Sequence, residues 1–201
     1  MMPLGESTSS VTKGTCAGLF ARKGAQRCLV AIGIFAYGTG LCGEDDLQAK
    51  RVQAEYKIKA ACLFRFMQFI EWPKSTFADE SAPLIVAVLG KDPFGDLLDD
   101  AMKNKRVGGR DVVVKRFSTS KEVEACHLVF VSSSESGTLK EALEALKPHH
   151  AATVGETEDF LKAGGIFRFF VAEGKVQFEV SKEAAKESGI EIRSQLLRLG
   201  K

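Results

Sequence analysis

Residues that build catalytic centres are scarce in this chain. Its 201 residues include three histidines, His127, His149 and His150. His149 and His150 are neighbours, so in an extended segment they point to opposite sides and make a poor chelate. His127 opens an apolar run and reads as a packing residue. There is no spaced Cys/His set, no Gly-x-Ser-x-Gly elbow and no glycine-rich phosphate loop. Gly90-Lys-Asp-Pro-Phe-Gly95 sits between a strand pattern and a helix pattern, but its spacing differs from nucleotide fingerprints. Asp92 and Asp96 would repel a phosphate there, and Asp92 reads as an N-cap. The paired carboxylates Asp99-Asp100, and Glu156 with Glu158-Asp159, fall on surface helical stretches where solvation explains them. These gaps argue against an enzyme, a metal site and a bound cofactor.

Membrane-spanning length is missing too. The apolar stretch Cys28–Leu41 is 14 residues long, short of the roughly 20 that cross a bilayer. Arg22-Lys23-Gly-Ala-Gln-Arg27 precedes it and the small Gly38 and Gly40 close it, so residues 1–43 read as an export signal cleaved near Gly40. Leu41 stands where a lipoprotein signal ahead of Cys42 would want a small residue. The mature chain is therefore expected not to span a membrane. Charge of one sign is lacking as well. Of 28 Lys/Arg and 26 Asp/Glu, the leader holds four (Lys13, Arg22, Lys23, Arg27) and one (Glu6), leaving 24 against 25. A near-neutral domain gives no electrostatic reason to expect nucleic acid or an anionic membrane as a partner. Beyond Cys42 only Cys62 and Cys126 remain. In an oxidising compartment they would suit one disulfide if their Cα atoms came within about 7 Å, the alternative being two buried thiols.

What is present is a strong apolar helix. From Glu55 onward, Tyr56, Ala60, Cys62, Leu63, Phe66, Met67, Phe69 and Ile70 share one broad face, wider than the stripe of a surface helix. Pro73 disfavours helical geometry at Trp72, so the helix is expected to end near Glu71. Lys59 projects from the apolar side, either snorkelling past its neighbours or pairing with a ligand or partner. The polar residues 44–51 read as a flexible lead-in, and residues 52–201 as one α/β domain.

Within that domain, Leu84–Leu89 and His127–Val131 are continuous apolar runs that suit strands buried on both faces. A helix from Asp92 to about Lys103, the alternating strand Asp111–Phe117, a short helix to Glu124 and a helix over Thr138–Leu146 lie around them. A strand Ala151–Val154, a short helix Glu156–Lys162, a hairpin from Ile166–Val171 and Val176–Val180, and helical pieces Lys182–Glu187 and Ser194–Leu199 complete the chain. The pattern predicts a layered α/β sandwich with a mixed, mainly parallel sheet ending in an antiparallel hairpin. Ser132-Ser-Ser-Glu-Ser-Gly137 follows a buried strand, where hydroxyls and amides would meet a small anion, or would simply cap the next helix.

Taken in order, several fragments are similar to one family. They are Glu55-Tyr-Lys-Ile-Lys-Ala-Ala61, Phe66-x-x-Phe-x-Glu-Trp-Pro73, Val88-Leu-Gly-x-Asp-Pro-Phe-Gly-Asp96, Val107-x-Gly-Arg110 and Cys126-His-Leu-Val-Phe130. Thr153-Val-Gly155, Gly164-Gly-Ile-x-x-Phe-Phe170, Val176-x-Phe-Glu-Val180 and Ser194-x-Leu-Leu-x-Leu199 follow. Their order and spacing, over about residues 52–199, resemble the YfiR family of small exported bacterial proteins. The resemblance implies a periplasmic α/β protein that forms homodimers and is not an enzyme. It also implies that such a protein restrains an inner-membrane sensor or diguanylate cyclase through its periplasmic domain, so that cyclic-di-GMP output follows envelope conditions. Disulfides belong to that picture, but the partner implied for Cys126 would fall near Ala87, leaving Cys62 as the substitute.

The expected contact surface is the aromatic end of the first helix, Phe66, Phe69, Trp72 and Pro73, with the Asp92–Phe94 loop beside it and Lys59 and Arg110 nearby. Two other readings compete with a regulatory binding protein. One is a small-ligand sensor or carrier using the loops at Gly90 and Ser132; the other is a hydrolase or transferase using the Ser132 region.

Overall fold

The computed structural model describes residues 42–201. In chain order the helix α1 (Cys42–Phe69) is followed by β1 (Ile70–Glu71), β2 (Leu84–Leu89), α2 (Asp96–Met102), β3 (Arg106–Val107) and β4 (Arg110–Phe117). Then come β5 (Leu128–Val131), α3 (Leu139–Leu146), β6 (Ala152–Gly155), β7 (Phe167–Ala172) and β8 (Lys175–Val180). The chain closes with α4 (Lys182–Glu187), β9 (Glu191–Ile192) and α5 (Ser194–Leu197).

Seven strands pair in the order β3-β4-β2-β5-β6-β7-β8. β4, β2, β5, β6 and β7 run parallel, while β3 and β8 add antiparallel edges. The expected α/β sandwich with a mainly parallel sheet and a terminal hairpin is therefore what forms. The hairpin turn, Glu173-Gly174, places both residues at positive φ (53° and 71°), the geometry that matches the twist of the flanking strands.

The apolar runs are divided between the two faces by the strand's twofold period. Val86, Val88, Leu128, Phe130, Val154, Phe167 and Phe169 point to one face, where α1, α2, α4 and α5 cover them. Ala87, Leu89, Val129 and Val131 point to the other, under α3 and Phe160. α1 is anchored on its face by Phe66, which stacks on Phe167 (centroids 4.6 Å apart) and meets Phe178 edge-on at 4.8 Å. At its other end Tyr56 packs edge-on against Phe94, which packs against Phe130.

Several expectations change. The helix stops at Phe69, two residues early, because Ile70 and Glu71 leave it to pair with Ile192 and Glu191. Residues 44–51, read as a flexible lead-in, are helical and extend α1 with exposed side chains from Asp45 to Lys50. The short helix expected at Glu156–Lys162 is a run of turns instead. Its Phe160 ring lies against Gly155 and Gly165, where a Cβ on either glycine would overlap the ring. The export signal assigned to residues 1–43, with the lipidation reading of Cys42, falls on residues outside the description or at its edge. Among the described residues no helix is long and apolar enough to cross a membrane.

Lys59 does not snorkel. It is 3% exposed and its Nζ lies 2.6 Å from both Glu55 and Glu156. Tyr56 donates its hydroxyl to Glu156 at 3.0 Å. Burial and the Glu156 carboxylate raise the Tyr56 phenol well above its ordinary range, so it stays a donor. Removing one member of a buried pair strands the other charge. Lys59→Met should therefore destabilise the fold by about 3 kcal/mol in urea unfolding, and adding Glu156→Leu should restore most of that loss. Equal stability of Lys59→Met and wild type would show that the pair holds nothing.

Candidate functional site

The structure separates residues that the sequence placed side by side. Phe66 and Phe94 are core residues, 1% and 3% exposed, so neither offers a contact surface. Lys59 is satisfied inside the domain. Asp92 accepts from the Phe94 amide at 2.7 Å and pairs with Arg116, which makes it a turn former held in place. Trp72 donates its indole N–H to the His127 carbonyl at 3.0 Å, before the start of β5. Asp92 and Phe94 follow the far end of the parallel strand β2. The length of a six-residue strand, about 20 Å, lies between them, so Trp72 and the Asp92–Phe94 loop do not form one surface.

Trp72 and Arg110 do come together. They line a cleft of about 510 Å³ with Phe77, Glu71, Arg106 and Arg193, closed at its back by Ile70 and Leu84. Phe69 and Pro73, at the rim of the chain's turn out of α1, are half-buried. Three elements build the cleft wall. β1 and β9 pair across the end of the sheet, and Arg193 after β9 reaches back to Glu71 at 2.7 Å. β3 and β4 turn at Gly108-Gly109, both at positive φ, and carry Arg106 and Arg110. The segment from Pro73 to Pro83 wraps beneath β2, pinned by Arg110 through its Nη1 bonds to the carbonyls of Asp79 (2.9 Å) and Ala82 (2.7 Å).

Each guanidinium is thus oriented by one part of its fork. Arg193 uses Nε on Glu71, Arg106 uses Nε on Asp111, and Arg110 uses Nη1. A guanidinium carries five donors, so these arginines still have N–H groups to give beside an aromatic wall. Such a cleft can grip a carboxylate or an acidic side chain while an apolar group rests on Trp72. It contains no nucleophile with a base. Sequence reasoning found Trp72 and Arg110 but missed Phe77, Arg106 and Arg193. The Val107-x-Gly-Arg110 turn was a local signal for Arg106. Arg193 arrives through a strand pairing, and its partner Glu71 is 122 positions away in the chain, so it left no such signal.

The rival site at Gly90 and Ser132 is filled. Ser134 Oγ accepts from the Lys91 amide at 3.0 Å, and Ser134 with Glu135 presses so closely on Gly90 that a Cβ there would overlap them. Ser132 is buried and caps Ser134. No histidine is bonded to these serines, and none of the groups of His, Cys, Asp and Glu among the described residues is arranged to hold a metal.

The disulfide does not form: Cys62 and Cys126 are both free. They sit on opposite faces of the sheet, Cys62 beside the α1 layer and Cys126 within the α3 layer. Burial raises both thiols, Cys126 to about 12, so neither is poised as a thiolate.

Comparison with known proteins now adds a family. The model of the YfiR/HmsC-like family matches residues 56–201, well over half of the chain, and the chain belongs to that family. No curated protein matches it. Among solved structures it is similar to a conserved domain protein from Vibrio cholerae biovar El Tor at 14% identity and a TM-score of 0.44, over 58% of this chain. The chain spans about half the length of that solved chain (53%).

Beneath the cleft lies His127, 4% exposed. Phe77 stacks on its ring at 4.4 Å, with the Arg110 guanidinium 3.9 Å from the other face of Phe77's centroid region, and Trp72 meets it edge-on. Its Nδ1 accepts from the Ile85 amide at 3.0 Å, while Nε2 is buried without a formed hydrogen bond. Burial, then the Arg110 charge, pushes this imidazole from 6.5 down to about 4, against a smaller opposing pull from the Thr76 backbone. The folded state thus refuses a proton that the unfolded chain accepts below 6.5. Its contribution is complete above that pH and is lost as the pH falls toward 4. Between these limits wild type should lose stability more steeply than His127→Gln, by about 1.4 kcal/mol per pH unit, in urea titrations across the range. Parallel curves would remove His127 from the acid response.

Proposed function

We propose that this member of the YfiR/HmsC-like family is a periplasmic regulatory binding protein that restrains an inner-membrane signalling protein by direct contact. The restrained protein is a diguanylate cyclase or another sensor with a periplasmic domain, and the regulator acts as a homodimer. The observation that carries this reading is the Trp72 cleft: an aromatic wall with Arg106, Arg110 and Arg193 held in place around it, and no reacting groups inside. A surface of this kind binds through desolvated aromatic and arginine anchors, the residue types that dominate protein contacts. The export-signal reading of residues 1–43 and the family membership support a periplasmic location.

A second reading uses the same cleft for a small anionic ligand. Its volume of about 510 Å³ falls within the range of small-molecule sites, and ligand occupancy would then set whether the partner is held.

The test is capture of solubilised inner-membrane protein by the tagged chain, with cyclic-di-GMP measured in the parent cells. Trp72→Ala and Arg193→Ala should each weaken capture about tenfold or more, as expected of interface anchors, and should raise cyclic-di-GMP. Arg193 is half-exposed, with about half of its side chain in solvent (53%), so its loss should spare the fold. Capture unchanged in both variants would end the contact role of the cleft. Recovery of a bound metabolite with no membrane partner would favour the sensor reading instead.

A further inference from the structure

A second surface is built into α1, sharing no residue with the Trp72 cleft. Leu47, Arg51, Ala54, Ile58, Ala61 and Arg65 recur at alternating steps of four and three residues. On a helix that spacing puts them in one row, the a/d seam of a coiled coil. All six are exposed, Leu47 to 52% and Ile58 to 50%. From Leu47 to Arg65 the row is about 27 Å long at the helical rise per residue. Along its inner half it opens into a groove of about 580 Å³ between α1 and α2, floored by Cys62, Phe64 and Ala101 and rimmed by Lys57, Arg65 and Lys105. The Lys105 ammonium lies 5.6 Å from the Phe64 ring centroid.

Charge decides what fits. Arg51, Lys57, Arg65 and Lys105 form no salt bridge among the described residues. The nearest acid on the row, Glu55, is already committed to Lys59 at 2.6 Å. A second copy of α1 laid in parallel on this row would set Arg51 against Arg51 and Arg65 against Arg65, with Glu55 already held by Lys59 and Asp45 and Asp46 confined to the outer end of the helix. The basic leader, with Lys13, Arg22, Lys23 and Arg27 against Glu6, would be repelled in the same way. An anionic membrane would meet Asp45 and Asp46 at the outer end of the helix, and the small Ala54 and Ala61 give little area to insert. The same two alanines allow a second helix to approach closely.

We propose that the outward face of α1, with its groove against α2, is a docking surface for an acidic amphipathic helix of a partner protein. The partner's apolar row lies over Ala54, Ile58, Ala61 and Cys62, and its flanking carboxylates meet Arg51, Lys57, Arg65 and Lys105. This contact goes beyond the cleft-mediated one and stands independently of it.

The probe is a labelled synthetic peptide of about three heptads, leucine at a and d and glutamate at e and g, titrated into the full mature chain by fluorescence anisotropy. It should bind wild type and bind the R51E/R65E variant about tenfold more weakly. A lysine-for-glutamate peptide should reverse that preference. The substituted side chains are exposed, and an unchanged circular dichroism melt confirms the fold. Equal binding of the acidic peptide to both proteins, or none to either, overturns the proposal. Binding to phosphatidylglycerol vesicles that R51E/R65E abolishes, without peptide binding, assigns the row to a membrane and also overturns it. So does sedimentation showing a dimer that Ile58→Lys dissociates, because the row would then be covered by a second copy.

Discussion

The position of α1 on the sheet rests on one buried ion pair. Phe66 supplies the apolar contact area, but stacked rings on a sheet face tolerate sliding, whereas a charge in the core accepts few positions. Lys59 has its acceptors in two places, Glu55 one turn behind it and Glu156 just after β6, with Tyr56 completing the latter. Only one depth and rotation of the helix satisfies all of them. That register brings Tyr56 over Phe94, sends Phe66 to the β7–β8 hairpin, and delivers Ile70 to its pairing with Ile192. The cleft at the far end is a consequence: without β1 paired to β9, Arg193 would have no reason to face Trp72.

This arrangement also places the open cleft away from where α/β sheets usually bind ligands. Ligands commonly bind at the carboxyl ends of parallel strands where the chain reverses its winding direction. Here that point lies between β2, whose connection leads to β4, and β5, whose connection leads to β6. It is plugged by Ser134 and Glu135 against Gly90, and the loop hydrogen bonds are spent internally. Beyond it, Lys59, Tyr56 and Glu156 use that same end of the sheet to hold α1. The open cleft is at the amino ends of the strands, where His127, Phe77 and Arg110 hold the Pro73–Pro83 segment in layers. Structural duties close one end and leave the other open.

What could be read from sequence follows from whether a feature was local. The buried strands Leu84–Leu89 and Leu128–Val131 were legible because a strand covered on both faces is apolar at every position. The hairpin was legible through Glu173-Gly174 between two alternating runs. Residues 44–51 were misread because polarity was taken as disorder. A helix end needs no buried face when it continues one that is already nucleated and packed. Lys59 was recognised as unusual, but its partner Glu156 is 97 positions away in the chain. The same limit hid Arg193 and the β1–β9 pairing. The error that mattered most was geometric. Trp72 and Asp92 are near in sequence, yet β2 runs between them and carries them to opposite ends of the sheet.

Net charge illustrates the same point in electrostatic terms. With 24 basic and 25 acidic residues past the leader, the domain is neutral as a sum, which argues against polyanions as partners. Its charges are nonetheless sorted. Asp92 and Asp99 are spent on Arg116, Glu55 and Glu156 on Lys59, and Glu179 on Arg168. Beside those pairs, two groups of cations sit against apolar side chains: the arginines of the cleft, of which Arg106 and Arg193 each also hold a carboxylate, and the outward row of α1. A polyanion needs a broad positive field, which this molecule does not have. Two narrow basic patches beside aromatic or aliphatic side chains are instead suited to single acidic groups next to apolar ones.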